Sequence, residues 1–223
     1  MKFAFRFLFL SILVLVSTTS PAFADNIAIQ NASFEITNPL TTSCGPACLY
    51  NSGPIPGWTT SASGTLQGSW QPGPVQFTSL SNGSMAAYSN GGTISQILSD
   101  SLLANNLYTL TVAVGNRADT AIYNLATTYI IQLFAGSTLL NSITGSNAII
   151  PLGTFMDVSF NYLSGVTLPA GNLSIVLSSV GPQSDFDNVR LTATSAATSV
   201  SEPGSLTLLA AGLGLAFFMI RRR

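Results

Sequence analysis

The sequence contains no histidine, and this absence restricts the chemistry available to the chain. Its 223 residues also include only two cysteines, and 7% of them are charged. Without histidine, the commonest general base, the usual partner of a serine or cysteine nucleophile and most zinc sites are missing. The sequence also has no Gly-x-Ser-x-Gly elbow and no phosphate-cradling glycine loop after a strand. These absences predict that the protein is not an enzyme.

Charged residues are scarce in the central region, residues 25–194. Glycoside hydrolysis needs two carboxyl groups that face one substrate. The region has seven acidic residues, of which Asp100 lies in a turn and Asp157 on the solvent face of a strand. It has only two arginines and no lysine. A glycosidase is therefore not expected, and the lack of a basic patch argues against a nucleic-acid partner.

The N-terminus has the pattern of a secretory signal. Two basic residues precede an apolar run at 7–16, and Ala22-Phe23-Ala24 provides the small-x-small site that signal peptidase accepts. We predict a signal peptide over residues 1–24, with Ala22 and Ala24 at the cleavage site. The mature chain then begins at Asp25.

The two cysteines, Cys44 and Cys48, lie in one loop of sequence CGPAC. Export favours a disulfide between them over a metal or redox pair, and free thiols are the alternative. Closing so small a loop contributes little stability by the chain-entropy argument.

The C-terminal segment, 201–223, combines a polar turn, an apolar run and a basic end. The turn is Glu202-Pro203-Gly204, the apolar run covers 206–220, and Arg221, Arg222 and Arg223 follow. As a helix this run of about 15 residues spans roughly 22 Å, which is short for a hydrocarbon core of roughly 30 Å. The arginines would stay on the cytoplasmic side. A plain tail anchor or a core helix is the alternative interpretation.

This arrangement resembles the PEP-CTERM sorting tail of Gram-negative bacteria. The resemblance implies recognition by an exosortase and a transient position in the inner membrane. Processing near the Pro-Glu-Pro-like motif and delivery to the cell surface, outer envelope or exopolysaccharide matrix would follow. The first proline of the motif is replaced by Ser201.

Between the two ends, apolar and polar residues alternate with period two, and helical periodicity is absent. The alternation predicts half-buried antiparallel strands separated by Gly, Pro and Asn clusters. The fold class is all-β, an antiparallel two-sheet β-sandwich of the jelly-roll type over 25–194, followed by a Ser/Ala/Thr linker at 195–200. The expected strands are 26–34, 85–88, 93–98, 108–114, 129–135, 138–144, 156–162, 173–178 and 186–193.

Four short motifs carry a second resemblance, to galactose-binding-domain-like jelly rolls of carbohydrate-binding modules and PEP-CTERM surface proteins. They are Asn31-Ala32-Ser33-Phe34-Glu35, Ile55-Pro56-Gly57-Trp58, the segment 87–96 and the segment 185–191. The resemblance implies that the first and last strands lie together. It also implies that Glu35 and Asp187 contribute carboxylates to a structural calcium site.

The strand pattern gives independent support to an inward carboxylate. Asp187 shares strand parity with Val189 and Leu191, so its side chain should begin at the buried end and need a partner. Calcium, with several oxygen ligands, is one such partner. The alternatives are backbone N–H groups, Arg190 or a wet strand end.

Loop aromatics suggest contact with a sugar. Trp70 lies in a turn-rich segment, 68–73, where an indole could stack on a sugar ring beside glutamine side chains. Trp58 follows a Pro-Gly turn and is instead expected to be a core residue. Arg117 and Asp119 could equally form an exposed ion pair of little value. The candidate sugar-binding residues are Trp70, Gln71, Gln76, Tyr88, Arg117 and Asp119, with Asn90, Gln96 and Tyr123 as further possible lining.

Taken together, the sequence predicts a non-catalytic exported protein at the cell surface that contacts polysaccharide weakly. The alternative is a structural matrix or surface protein that binds other surface components and has no specific sugar ligand.

Overall fold

A computed structural model describes residues 24–61, 66–119 and 127–196. Most of the predicted signal peptide, Tyr123 and the sorting tail lie outside these residues. No helix in the described part of the chain is long and apolar enough to cross a membrane.

The described part of the chain forms thirteen strands: β1 Ala24–Ile27, β2 Thr42–Gly45, β3 Cys48–Ser52, β4 Thr59–Thr60, β5 Gln67–Gln71, β6 Ala86–Ser89, β7 Thr93–Ser101, β8 Asn106–Asn116, β9 Thr128–Ala135, β10 Thr138–Ser146, β11 Thr154–Leu163, β12 Asn172–Val180 and β13 Ser184–Ser195.

The strands form two antiparallel sheets, which confirms the predicted sandwich. The larger sheet has eight strands in the order β11-β8-β13-β6-β5-β3-β2, with β1 paired to β13 beside β6. The smaller sheet has the order β10-β9-β12-β7-β4. Since β1 pairs with β13, from Ala24 with Thr194 to Ile27 with Leu191, the first and last strands lie together as predicted.

The core between the sheets follows from the period-two alternation. In the long strands every second side chain points inward, and Val112, Ile131, Leu133, Ile175 and Leu177 are essentially inaccessible to solvent. Each such side chain contributes about 1.5–3 kcal/mol through burial. The alternating polar residues lie on the outer faces, so the pattern alone determines which face of each sheet is buried.

Four strands have no counterpart among those expected from the sequence: β2, β3, β4 and β5. Their residues are mostly polar or small, as in the β5 sequence QGSWQ, so no apolar alternation marks them. They form because each pairs with a neighbour: β2 with β3, β3 with β5, β5 with β6, and β4 with β7 in the smaller sheet. Three of them extend one edge of the larger sheet.

The expected first strand, 26–34, is also shorter than predicted. Strand β1 ends at Ile27, and the chain then turns through Asn31 and Phe34, both with positive φ. The Asn31 amide stabilises this turn by donating to the carbonyl oxygens of Ile36 and Pro56, each at 2.8 Å.

A bulge in β13 corrects the predicted orientation of Asp187. The register against β8 shifts between Asp187 and Arg190, and Asn188 takes a left-handed φ of 47°. Because the bulge adds a residue, Phe186 and Val189 both face the core. Asp187 therefore points to the opposite face of the larger sheet, contrary to the parity argument, but it is completely buried there and has hydrogen-bond partners, as predicted.

Candidate functional site

The outer face of the larger sheet carries a second, smaller apolar cluster. It consists of Cys48, Trp70, Phe77, Ala86 and Tyr88. The strand register places Gly68, Tyr88, Asp185 and Gly115 in one row across β5, β6, β13 and β8. Directly paired residues share a face, so Tyr88 and Asp185 are neighbours on this outer surface.

A cavity of about 400 Å³ opens beside this cluster. That volume is within the range of small-molecule sites. The β2–β3 hairpin, closed by a disulfide between Cys44 and Cys48, forms one wall. The lining residues are Ser43, Cys44, Tyr50, Ser52, Trp70, Tyr88, Asn90, Arg117, Asp119 and Gln183.

Aromatic rings make up much of the apolar lining. Tyr50 meets Tyr88 edge to face, with ring centroids 6.3 Å apart. The Tyr88 hydroxyl lies 2.8 Å from the Ser52 hydroxyl. Trp70 packs edge to face on Phe77, and its indole Nε1 has no acceptor among the described residues. The lining therefore combines aromatic rings with polar side chains, among them Ser43, Asn90 and Asp119.

Arg117 lies across the cavity wall and is almost fully buried. Its guanidinium carbon is 4.6 Å from the centre of the Trp70 ring. Two parallel hydrogen bonds join it to Asp119, from Nε to Oδ1 at 2.9 Å and from Nη2 to Oδ2 at 2.6 Å. Its Nη1 donates to Oε1 of Gln183 at 2.9 Å. This bidentate, stacked geometry is one that arginine supplies and lysine does not.

Asp185 lies directly behind this wall and is completely buried. Gln183 Nε2 donates to its Oδ1 at 2.6 Å, whereas Oδ2 has no hydrogen-bond partner in the part of the chain that the structure describes. Burial raises the pKa of Asp185 from 3.8 to about 7, although Arg117 and the Gln183 hydrogen bond both lower it. A substantial fraction of this carboxyl group is therefore protonated at neutral pH.

A second carboxylate pair, Glu35 and Asp187, holds the segment between β5 and β6. Glu35 Oε1 accepts from the backbone N–H groups of Ser84 and Met85, at 2.9 and 2.8 Å. Asp187 accepts from the N–H groups of Asn82 at 2.7 Å and Asn188 at 2.6 Å. Burial, with a smaller contribution from the Glu35 charge, raises the pKa of Asp187 to about 6.

The structure brings together several predicted sugar-binding residues, but in a different setting. Trp70 lies in a strand instead of a loop and is only 2% exposed, so it offers no open stacking platform. Tyr88, Arg117 and Asp119 line the cavity, and the Arg117–Asp119 pair is largely buried instead of exposed. Trp58 is a core residue as expected.

Asn90 also lines the cavity, whereas Gln71, Gln76 and Gln96 lie outside its lining. Gln71 ends β5 half-buried, and Gln76 is buried, with Oε1 accepting from the Gly73 N–H and Nε2 3.4 Å from Asp119. Gln96 instead hydrogen-bonds Gln30 and Gly57.

Sequence reasoning missed Tyr50, Ser52, Gln183 and Asp185. The first two lie in β3, which no periodicity reveals. From the sequence, Asp185 was expected only to have a structural role together with Asp187. The sequence did contain one indication of its position. Phe186 is apolar and faces the core, so the adjacent Asp185 must lie on the opposite face of this central strand.

These features define a β-sandwich with a small-molecule cavity on one sheet and, behind the cavity wall, a buried carboxyl group whose pKa is raised to about 7. The chain belongs to the HpiC1 cyclase family, whose family model matches residues 25–192. A second model, the PEP-CTERM protein-sorting motif, matches residues 199–223. The protein is therefore exported, sorted by an exosortase and carried to the cell surface, as the resemblance of the tail implied.

Solved cyclases support the family assignment. A cyclase from Fischerella sp. TAU is 28% identical with a TM-score of 0.65, covering 79% of this chain and 100% of that one. A cyclase from the same source, in complex with 4-(1H-indol-3-yl)butan-2-one, is 27% identical with a TM-score of 0.64, covering 78% and 100%. The Stig cyclase Fisc, in complex with (3Z)-3-(1-methyl-2-pyrrolidinylidene)-3H-indole, is 28% identical with the same TM-score and coverage. No curated protein matches the sequence.

These findings overturn the prediction that the chain is not an enzyme. The absence of histidine removes base catalysis by imidazole, but proton donation needs only one protonated carboxyl group. The predicted likeness to carbohydrate-binding modules is distant. Such modules match at 11–14% identity with TM-scores of 0.39–0.47, which carries no argument for sugar binding.

Proposed function

We propose that the β-sandwich is a cyclase that closes a ring in a neutral, π-rich substrate by proton donation from Asp185. The observation that supports this is the burial of Asp185 behind a small-molecule cavity, with a pKa of about 7 and an Oδ2 that has no hydrogen-bond partner among the described residues. A carboxyl group with a pKa near the working pH is suited to general acid catalysis.

The proposed reaction begins with the transfer of the Asp185 proton to a carbon of a substrate double bond. The O–H bond of the carboxyl group breaks, and the π electrons of the double bond form the new C–H bond. A second π bond of the same substrate attacks the resulting cation and forms the C–C bond that closes the ring. Loss of a proton to the Asp185 carboxylate restores the acid. No oxidant, reductant or cofactor is consumed.

The cavity walls suit the charges that develop during this sequence. The π-faces of Tyr50 and Tyr88, which line the cavity, attract a cation. Arg117 and the Gln183 amide stabilise the Asp185 carboxylate left after proton transfer. Asp185 has no solvent access in the free protein, so substrate reaches Oδ2 by displacing part of the wall, which keeps bulk water away until binding.

We infer an indole-class substrate from the relatives. The two Fischerella complexes described above contain an indolyl ketone and an indole-derived compound. An electron-rich, neutral bicyclic ring also matches the aromatic rings of Tyr50, Trp70 and Tyr88 in the lining.

The proposal is tested by hydrogen–deuterium exchange of indole in D₂O, followed by NMR of its C3 hydrogen. Exchange at C3 requires protonation of that carbon, so it reports proton donation without knowledge of the natural substrate. Asp185→Asn should lower the protein-catalysed rate by about 10²-fold or more. Asp157→Asn, which removes an exposed carboxylate paired with Arg190, should leave it unchanged. Equal rates for wild type and Asp185→Asn would remove Asp185 from the mechanism.

We also propose that Glu35 and Asp187 hold a structural calcium ion. The donors fit, because both side chains present oxygens to one loop and Glu35 raises the pKa of Asp187 through charge repulsion that a cation would relieve. Arg190 is engaged with Asp157. Since no group of three or more His, Cys, Asp or Glu side chains could hold a metal within the described ranges, backbone carbonyls and water must complete the shell.

For the sorting tail, we propose processing near Glu202-Pro203-Gly204 and final delivery to the outer envelope or exopolysaccharide matrix of a Gram-negative cell. The matched sorting motif supports this proposal. The signal peptide at 1–24 and the boundaries of the linker at 195–200 belong to the same proposal.

A further inference from the structure

Four side chains form a continuous hydrogen-bonded chain behind the cavity: Asp119, Arg117, Gln183 and Asp185. The chain runs from the bidentate Asp119–Arg117 pair to Oε1 of Gln183 at 2.9 Å, and from Gln183 Nε2 to Oδ1 of Asp185 at 2.6 Å. Arg117, Gln183 and Asp185 are all more than nine-tenths buried. Little solvent therefore competes with these bonds.

The chemistry of arginine determines the orientation of the Gln183 amide. A guanidinium group has donors only, so the group facing it must be the amide oxygen. The NH₂ group of Gln183 is then directed to Asp185, and Oδ1 must accept from it whether or not the acid is protonated. When Asp185 is neutral, its proton consequently sits on Oδ2, the oxygen with no other partner.

We propose that Gln183 is a positioning residue that, held by Arg117, keeps the transferable proton on Oδ2 of Asp185. This inference rests on the proposed function, because it concerns delivery of that proton to substrate. Asp119 acts indirectly, because its carboxylate fixes the guanidinium group of Arg117. That group also stacks on the Trp70 ring.

The test must separate two effects on Asp185: the hydrogen bond from Gln183 and the charges of neighbouring groups. Arg117 and Asp119 are the charged neighbours that act on its pKa, and Arg117 lowers it while Asp119 raises it. On the adjoining strands, its register partners are Tyr88 and Gly115. An uncharged substitution at Gln183, such as Gln183→Met, thus alters the hydrogen bond to Asp185 without changing the local charge, whereas Gln183→Glu and substitutions of Arg117 or Asp119 also change that charge.

Two variants of the full-length protein test this inference in the indole exchange assay. Gln183→Met keeps the side-chain length but removes both hydrogen bonds. Gln183→Glu keeps an acceptor for Arg117 and removes the donor to Asp185. Both should lower the maximal exchange rate about tenfold or more, because the proton is no longer held on one oxygen.

Gln71→Met is the matched control, a glutamine in the same sheet outside the cavity lining, and it should match wild type in exchange rate. Binding of 4-(1H-indol-3-yl)butan-2-one and the melting temperature report whether the cavity is intact. A Gln183 variant that binds this probe and retains the wild-type rate would overturn the positioning role. If Asp185→Asn itself retains wild-type exchange, the proposed function fails as well. Loss of exchange in Asp185→Asn with no change in either Gln183 variant overturns the positioning role alone.

Discussion

At the scale of single residues, Asp185 links the proposed activity to a cost in stability. Its pKa is 3.8 in an exposed chain and about 7 in the fold, because burial disfavours the charged form. Between these values the folded protein binds more protons than the unfolded chain. The free energy of unfolding contributed by this group therefore falls as pH rises through that window, by an amount on the order of 4 kcal/mol.

We accordingly predict that Asp185→Asn is stabilising at high pH and not at low pH. An amide cannot ionise, so the variant avoids the penalty that wild type incurs above about pH 7. Melting temperatures should differ little at about pH 4, and the variant should melt several degrees above wild type at about pH 8. Asp157→Asn should show no such trend, because that carboxylate is exposed. A difference between Asp185→Asn and wild type that does not vary with pH would contradict the assigned cause.

The sequence shows that Asp185 is present in the motif, but it does not predict the chemical role of this residue. The motif Asp185-Phe186-Asp187 suggested two equivalent structural acids. The structure distinguishes them: Asp187 accepts hydrogen bonds from two backbone N–H groups, whereas one oxygen of Asp185 has no partner within the described ranges. That difference depends on Gln183 and on Arg117 from another strand, which local sequence does not pair with Asp185.

At the scale of elements, the strands without a sequence signal are the ones that build the cavity. The alternation in β8, β9 and β12 predicted the sandwich core, because apolar side chains must face inward there. The hairpin of β2 and β3 and the strand β5 are polar, and they form through pairing at the edge of the sheet. Short-range patterns therefore predicted the scaffold and missed much of the functional wall.

Gly68 in β5 allows this wall to pack closely. A methyl group there would overlap the carbonyl oxygen of Asn51 and lie 2.9 Å from the Tyr88 hydroxyl. We predict that Gly68→Ala lowers stability by about 1–3 kcal/mol and weakens indole binding, because β3 or the Tyr88 ring must shift. Urea unfolding and a binding titration would measure both effects.

Gly165→Ala is the control, since an added Cβ there would meet only the Thr167 carbonyl oxygen, at 4.0 Å. It should change neither stability nor binding beyond a few tenths of a kcal/mol. If Gly68→Ala behaves like this control, then the row Gly68, Tyr88, Asp185 and Gly115 is less tightly packed than the distances indicate.

At the scale of the whole molecule, one chain combines a cyclase-family sandwich with a sorting motif for the cell surface. The sorting motif was readable from the sequence because its signal is a linear order of turn, apolar run and arginines. The cyclase family was not, because its cavity is assembled from residues between positions 43 and 183 that only the folded sheet brings together. Composition excluded many catalytic mechanisms, but it could not exclude one that needs a single buried carboxyl group.

The proposed calcium site joins distant parts of the molecule, because Glu35 follows β1, Asp187 lies in β13, and both hold the segment 82–85. An ion that binds only the folded form stabilises it, by about 2.7 kcal/mol at a hundredfold excess over the dissociation constant. We predict that calcium raises the melting temperature relative to a chelator at about pH 8 and has little effect at about pH 5. The pH dependence follows because Asp187, with a pKa of about 6, binds a proton in place of the ion at low pH. Glu35→Gln and Asp187→Asn should each abolish the calcium effect, and Asp157→Asn should retain it. Equal melting temperatures with calcium and chelator at about pH 8 would instead leave the backbone N–H groups as the sole partners of both carboxylates.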